Sequence, residues 1–392
     1  MVEVTLLRGR ERRPLAGHPW IYQGEIERIE GDPEPGERAR VKDFRGRFIG
    51  MGYINPRSQI TVRLLTWEEE AIDEAFLQRR IRKALEYRKR IVADTDACRL
   101  ISSEGDFLPG LIVDRYGDLL VLQILTAGME RLKEVVVQLL VQLLSPKGIY
   151  ERNDSPSRLL EGLEHQKGPL YGDFDRVVQI QEGGVKFWVD VAEGQKTGFF
   201  LDQRENRFAL RGYAEGKEVL DGFCYSGGFA LNALYAGAAS AVGIDLSPAA
   251  LDLAKRSAEA NGLADRCTFK EANAFDELRA LERTGRHFDL IILDPPAFTR
   301  GKEAVAGAIR GYKEINLRAM KLLREGGILL TCSCSYHLDA ETFLGVLQSA
   351  ALDAKKRLRL LELRTQARDH LVLLGVKETY YLKCAILEVM RA

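Results

Sequence analysis

The sequence predicts an α/β chain whose C-terminal half is a doubly wound parallel sheet, preceded by a small β-rich barrel and a central α+β part. Three observations predict it. After residue 184, short runs rich in Val, Ile and Leu alternate with segments of helical period, the pattern of a parallel sheet covered on both faces. Residues 1–66 instead break into short β-prone pieces separated by turn residues, as in Gly31-Asp32-Pro33-Glu34-Pro35-Gly36. Between the two, a long arginine-rich helix precedes hairpin signals. The expected divisions are 1–70, 71–184 and 185–392.

In the first part, residues 41–52 and 59–65 read as strands. Arg8, Arg10, Arg12, Arg13, Arg38, Arg40, Lys42, Arg45 and Arg47 give it a basic face. Residues 71–92 read as a helix with Ile72, Phe76, Ile81, Leu85 and Ile91 on its apolar side. Its arginines and lysines form either a solvated face or a phosphate-contacting one. Residues 111–115 and 119–125 read as a hairpin around Tyr116-Gly117-Asp118, 129–144 as a helix, 148–152 as a strand, and a strand pair flanks Glu182-Gly183-Gly184. In the last part the expected strands are 219–223, 241–245, 267–271, 288–294 and 328–332, and the helices 228–236, 248–261 and 312–323.

The 392 residues are 46% hydrophobic and 29% charged, ordinary for a soluble chain of two or three domains. No apolar run approaches a membrane span and the start lacks a signal-like core, so a cytoplasmic location is expected. The formal charge is zero, which excludes a uniformly basic chain but not a local RNA-binding face. Six cysteines form no CxxC pair, so neither a disulfide framework nor a metal site is expected.

The chemistry gathers at strand ends, where open α/β sheets hold ligands. Asp221 closes a strand and is followed by Gly222-Phe223-Cys224-Tyr225-Ser226-Gly227-Gly228, a turn whose glycines let backbone approach a ligand. The turn is not GxGxxG, so a dinucleotide fits poorly. Asp221 is expected to accept from an α-ammonium group. Asp245, followed by Leu246, is placed for ribose hydroxyls, and Asn273-Ala274 with Phe275 for adenine. These features fit S-adenosylmethionine. Upstream, Thr197, Gly198, Phe200, Asp202 and Arg204 could close over that cofactor, with Arg204 near its carboxylate; the same stretch also reads as a plain helix entry.

Asp294-Pro295-Pro296 ends an apolar strand and suits a carboxylate held against a base edge. Cys332 and Cys334 lie two apart on the next strand, so both could face one way, with Cys334 nearer the open end. A thiolate adding to carbon 6 of cytosine would make carbon 5 able to accept a methyl group. Asp294 would hold a proton at the pyrimidine edge and, with Pro295, border the cofactor, while Cys224 lies in the cofactor turn and would pack there.

On Leu15-Ala16-Gly17-His18-Pro19-Trp20-Ile21-Tyr22, Gly52-Tyr53-Ile54-Asn55-Pro56, the stretch from Gln195 to Arg204, Asp294-Pro295-Pro296 and Ser333-Cys334-Ser335, the chain resembles the bacterial large-subunit ribosomal RNA cytosine-5 methyltransferases of the RlmI/RlmO type. The resemblance implies a PUA-type RNA-binding domain, a central α+β domain and a class I methyltransferase domain, acting on 23S rRNA or an assembly intermediate. It also implies Cys334 as nucleophile, counted from Gly326-Gly327, while Ala297 stands where related enzymes carry a second cysteine and Asn273 where an acid is common. The alternatives are methylation of an exocyclic guanine N2 amino group, or a non-catalytic ribosome-assembly factor that binds RNA. The modified nucleotide and any homodimer are not legible.

Overall fold

The computed structural model describes residues 1–298 and 304–391. The chain groups into two compact units, each discontinuous in sequence: residues 1–178, 190–198 and 368–379 form the first, and 179–189, 199–367 and 380–392 the second.

The first unit holds two sheets. The N-terminal one has six strands: Val2–Leu6, Trp20–Ile21, Ile26–Glu30, Glu37–Lys42, Phe48–Ile54 and Val62–Thr66. Val4, Leu6, Ile21, Val41, Ile49, Ile54 and Leu64 fill its interior. Residues 41–52, read as one strand, instead fold back at Asp43. Its Oδ1 accepts the backbone N–H groups of Arg45 and Arg47 at 2.9 Å, and Gly46 takes φ 80°. A five-stranded sheet follows, from Ala97–Ser102, Leu111–Tyr116, Leu119–Ile124, Gly148–Asn153 and Gln166–Tyr171. Helix Glu74–Ile91 packs into the same core; Asp73 caps it by accepting the N–H of Phe76. Arg88 on that helix is buried and donates to Asp106, and Arg80 donates to the Leu65 carbonyl, so these two cations serve packing. Arg82, Lys83, Lys89 and Arg90 remain exposed. The expected helix 129–144 is split at Leu132 into Ala127–Arg131 and Lys133–Leu144.

The second unit is built on a seven-stranded sheet: β1 Glu218–Asp221, β2 Ser240–Asp245, β3 Cys267–Glu271, β4 Phe288–Leu293, β5 Leu323–Ser333, β6 Lys356–Arg364 and β7 Lys383–Arg391. The order is β3-β2-β1-β4-β5-β7-β6. β1 to β5 pair in parallel; β7 runs antiparallel to both β5 and β6. The helices are α1 Arg204–Arg211, α2 Gly228–Tyr235, α3 Pro248–Ala260, α4 Ala274–Thr284, α5 Val305–Leu322 and α6 Ala340–Asp353. Leu220, Ile244, Ile291, Leu293, Leu329, Tyr312, Ile315, Phe343 and Leu387 belong to one buried core. The sequence reading missed α4, α6, β6 and β7 and began α5 seven residues too late. Among the described residues, no helix is long and apolar enough to cross a membrane.

Candidate active site

Because β1, β2, β4 and β5 are parallel, their carboxyl ends lie along one edge of the sheet. The chain order reverses between β1 and β4, which opens a crevice there. The N–H of Gly222 donates to the Ile292 carbonyl at 2.9 Å and ties the turn after β1 to β4.

Asp221 sits in this crevice, fully buried. Its Oδ2 accepts the N–H of Ala230 at 3.1 Å, in the first turn of α2. Burial, opposed by that bond and reinforced by the charges of Asp294 and Asp245, pushes its carboxyl up to about 8. Its Oδ1 has no hydrogen-bond partner among the described residues, and neither does the buried hydroxyl of Ser226. Two orphaned polar atoms in one turn signal a missing ligand.

The turn is shaped by backbone that most residues avoid. Tyr225 and Gly227 take φ 47° and 82°, and Gly227 N–H donates to the Cys224 carbonyl at 2.8 Å. The Cys224 N–H donates to Ile244, carrying the turn onto β2. The Cys224 thiol is buried, and burial raises its pKa well above the usual value. It leaves no room at Gly243, where a Cβ would fall 2.9 Å from Cys224 Sγ and 2.7 Å from the Phe269 ring.

Asp245 ends β2 beside this turn. One oxygen accepts the N–H of Tyr225 and the other that of Ser247, both at 2.9 Å. Each oxygen keeps lone pairs for further donors. Leu246 is 64% exposed, an apolar surface next to that carboxylate. Asn273 caps α4, its Oδ1 accepting from Phe275 and Asp276. The sequence reading gave it to adenine and missed the cap. Ala274 is buried in the first turn of α4, and Phe275 stacks obliquely with Phe298 at 5.7 Å.

The stretch before α1 is divided. Thr197 and Gly198 belong to the first unit, where the Thr197 hydroxyl meets Asp114 at 2.7 Å and Tyr116 at 2.8 Å. The rest lies in the second unit. Phe200 meets the Tyr225 ring edge to face at 5.3 Å. Asp202 is buried in the short turn Leu201–Gln203 and accepts from the Tyr381 hydroxyl at 2.8 Å. Arg204 is buried and donates to Glu205 at 3.1 Å.

Asp294 follows β4 directly. Gln203 Nε2 donates to its Oδ1 at 2.9 Å, Asn206 donates to Gln203 Oε1 at 2.6 Å, and Arg364 donates to Asn206 Oδ1 at 3.1 Å. This relay holds the carboxylate from behind. The sequence reading missed Gln203 and Asn206 as orienting groups, although both lie in or beside a stretch dense in polar residues. Pro295 is buried, while Pro296 and Ala297 are exposed.

The two candidate thiols separate clearly. Cys332 is fully buried opposite Cys384 on β7, and its thiol is pushed well above the usual range by burial and that neighbour. Cys334 lies past the end of β5, half-buried, with Sγ 4.0 Å from the Pro295 carbonyl oxygen. The structure thus brings Cys334 to the Asp294-Pro295 turn. The Ser335 hydroxyl meets the Tyr312 hydroxyl at 3.0 Å, and burial raises the latter's pKa to about 12.

These residues fit S-adenosylmethionine. The orphaned Asp221 oxygen, in a crevice crowded by Asp245 and Asp294, calls for a cation. Comparison with known proteins agrees. A PUA-like domain family matches residues 4–67, and an S-adenosylmethionine-dependent methyltransferase family matches residues 166–360. The ribosomal RNA large subunit methyltransferase I of Aeromonas hydrophila is 43% identical over 386 residues, covering 97% of each chain. That of Escherichia coli K12 is 40% identical over 394 residues, covering 99% of this chain and all of the other. The chain belongs to the ribosomal RNA large subunit methyltransferase I family. A putative S-adenosylmethionine-dependent methyltransferase from Streptococcus mutans, 22% identical, shares the fold with a TM-score of 0.85 over 99% of this chain and 100% of that one. As a member of the methyltransferase I family, the chain is an S-adenosylmethionine-dependent methyltransferase with an N-terminal PUA-like domain. Its Rossmann-like sheet is the α/β architecture the alternation predicted.

Proposed function

We propose that this methyltransferase forms 5-methylcytosine in large-subunit (23S) ribosomal RNA in the cytoplasm, through a covalent bond between Cys334 and the base. The names of its relatives support the RNA class, and one observation carries the chemistry: a half-buried thiol lies 4.0 Å from the turn that bears Asp294. Asp221 and Ser226 would hold the amino-acid end of S-adenosylmethionine, Asp245 its ribose, and Leu246 with Asn273 and Ala274 its adenine. Phe200, Asp202 and Arg204 are proposed to support that binding. When bound, the cofactor supplies an electrophilic methyl carbon.

The protein's own steps centre on two groups. The target base must leave its stack before a thiol can reach it. Cys334 Sγ, as thiolate, adds to carbon 6; the carbon 5–carbon 6 π bond becomes electron density at carbon 5. Asp294 holds a proton at the ring nitrogen or amino edge, so the developing charge is neutralised. Once carbon 5 carries the methyl group and has lost its proton, the carbon 6–sulfur bond breaks and the thiolate leaves. With Ala297 after the two prolines, that proton goes to water or another group. Residues 1–70 would hold the RNA, 71–184 would join, and 185–392 would catalyse.

The test is RNA carrying 5-fluorocytosine, which blocks elimination. A denaturation-resistant adduct through Cys334 is expected, and none with Cys334→Ala. Full turnover by Cys334→Ala would instead support amino-group methylation. Use of naked RNA against assembly particles as substrates would name the physiological target.

A further inference from the structure

We propose that Lys383 is a positioning residue whose ammonium group favours the thiolate form of Cys334. The inference rests on the reading of Cys334 as nucleophile. Lys383 opens β7 directly across from Ser333, the residue before Cys334. It is 1% exposed, and its Nζ donates to the Ser335 carbonyl at 2.7 Å and to the Tyr381 carbonyl at 2.9 Å. An ammonium has three donors, so these bonds leave one over. Among the described residues no carboxylate comes within ion-pair distance of it. A buried lysine bonded only to carbonyl dipoles is costly, and a hydrophobic residue would serve packing better.

The groups that face it from neighbouring elements are few. Cys334 and Asp339 lie on the segment after β5, and both favour its charge. Asp339 is already the cap of α6, accepting the N–H of Thr342 at 2.8 Å. Tyr312 reaches in from α5 to the Ser335 hydroxyl, and Cys332 with Cys384 lies buried along the same pair of strands. Burial lowers Lys383 to about 8, so it is still cationic at pH 7. A fixed cation beside a half-buried thiol lowers the thiol's pKa. The thiol proton leaves to water, Nζ keeps its own, and the share of Cys334 present as the attacking thiolate rises. The bond to the Ser335 carbonyl fixes the lysine beside the segment that carries the nucleophile.

The readout is the pH profile of iodoacetamide alkylation at Cys334, followed peptide by peptide by mass spectrometry on the full chain. In the unmodified enzyme the midpoint should fall well below the ordinary cysteine value of about 8.5. Lys383→Gln keeps donors for both carbonyls but has no charge. It should raise the midpoint by about one unit, so alkylation at pH 7 slows about tenfold, while Lys383→Arg keeps the low midpoint. Calorimetric binding of S-adenosylmethionine reports whether each variant folds. A midpoint at or above 8.5 in the unmodified enzyme overturns the proposal even if no variant folds, and so does an unmoved midpoint in a folded Lys383→Gln. The 5-fluorocytosine adduct separates the two readings. An adduct with an unmoved midpoint refutes Lys383 alone; a shifted midpoint with no adduct refutes Cys334 as nucleophile.

Discussion

Asp221 shows how a single side chain trades stability for binding. Its folded pKa, pushed up to about 8, lies far above the unfolded value of about 3.9. Between these values the native carboxyl holds a proton that the unfolded one has lost. Its contribution to stability is therefore complete below about pH 4 and is lost as pH rises through 8. Asp221→Asn keeps an oxygen for the Ala230 N–H and removes the titration. The ligand-free variant should melt at the same temperature or a few degrees higher at pH 8, with a flatter dependence between pH 4 and 8, by calorimetric scanning. It should bind S-adenosylmethionine at least about tenfold more weakly, because a buried cation then loses its charged partner. Equal affinity would detach Asp221 from the cofactor. Asp294 depends on Gln203 in a different way. Gln203→Leu removes one donor to its Oδ1 and leaves the cofactor turn alone, so turnover should fall by roughly tenfold or more with cofactor affinity unchanged. Acids and thiols at strand ends were legible from residue type and position. Lys383 was not, because it reaches Ser335 through an antiparallel strand that follows much later in the chain.

At the scale of elements, what the sequence revealed depended on which force set each segment. Parallel strands buried on both faces are continuous apolar runs, so β4 and the core of β5 could be read directly, and β1 and β2 from their apolar centres. Local polar chemistry was harder. A side-chain turn at Asp43 divided an expected strand, and the Asn273 cap started a helix that the sequence reading did not include. β6 and β7 pair as antiparallel neighbours with no α-helix between them, so the strand–helix alternation that marks the rest of the sheet stops at β6. The turn after β1 makes a sharp prediction. Gly243→Ala sets a methyl group against Phe269 and Cys224, and should lower stability by about 1–3 kcal/mol in urea unfolding. The N-terminal sheet makes another. Arg8 and Arg45 are exposed and both lie over the Phe44 ring, at 5.7 and 5.2 Å, an aromatic between two cations suited to RNA. Replacing both by Ala should weaken RNA binding at every sequence and flatten its salt dependence by about 1.4 in log–log slope, at roughly 0.7 per phosphate. Cofactor affinity should not move. An unchanged slope would take RNA contact away from this face.

For the molecule as a whole, folding units and sequence modules do not coincide. A linear division at residues 70 and 184 describes how composition changes along the chain, while the contacts draw the chain's last part into both units. Residues 368–379 return to the first, where Arg88 donates to the Asp369 carbonyl at 2.9 Å and Arg99 N–H donates to its carboxylate at 3.0 Å. Residues 380–392 go to the second and supply β7, which lies between β5 and β6. A chain ending at Ala367 would strip the first unit of a polar strap and leave Arg88 with one fewer buried acceptor. It would also open the seven-stranded sheet between its fifth and sixth strands and expose Leu329 and Leu330 of β5. Tolerance to truncation follows burial of the lost backbone, not nearness to a terminus. The shortened chain should therefore lose S-adenosylmethionine binding, and proteolysis should cut both units faster than in the full chain. Retained cofactor affinity would mean that β7 is dispensable to the sheet. Protection of the first unit alone would mean that its returning segment bears no part of its stability.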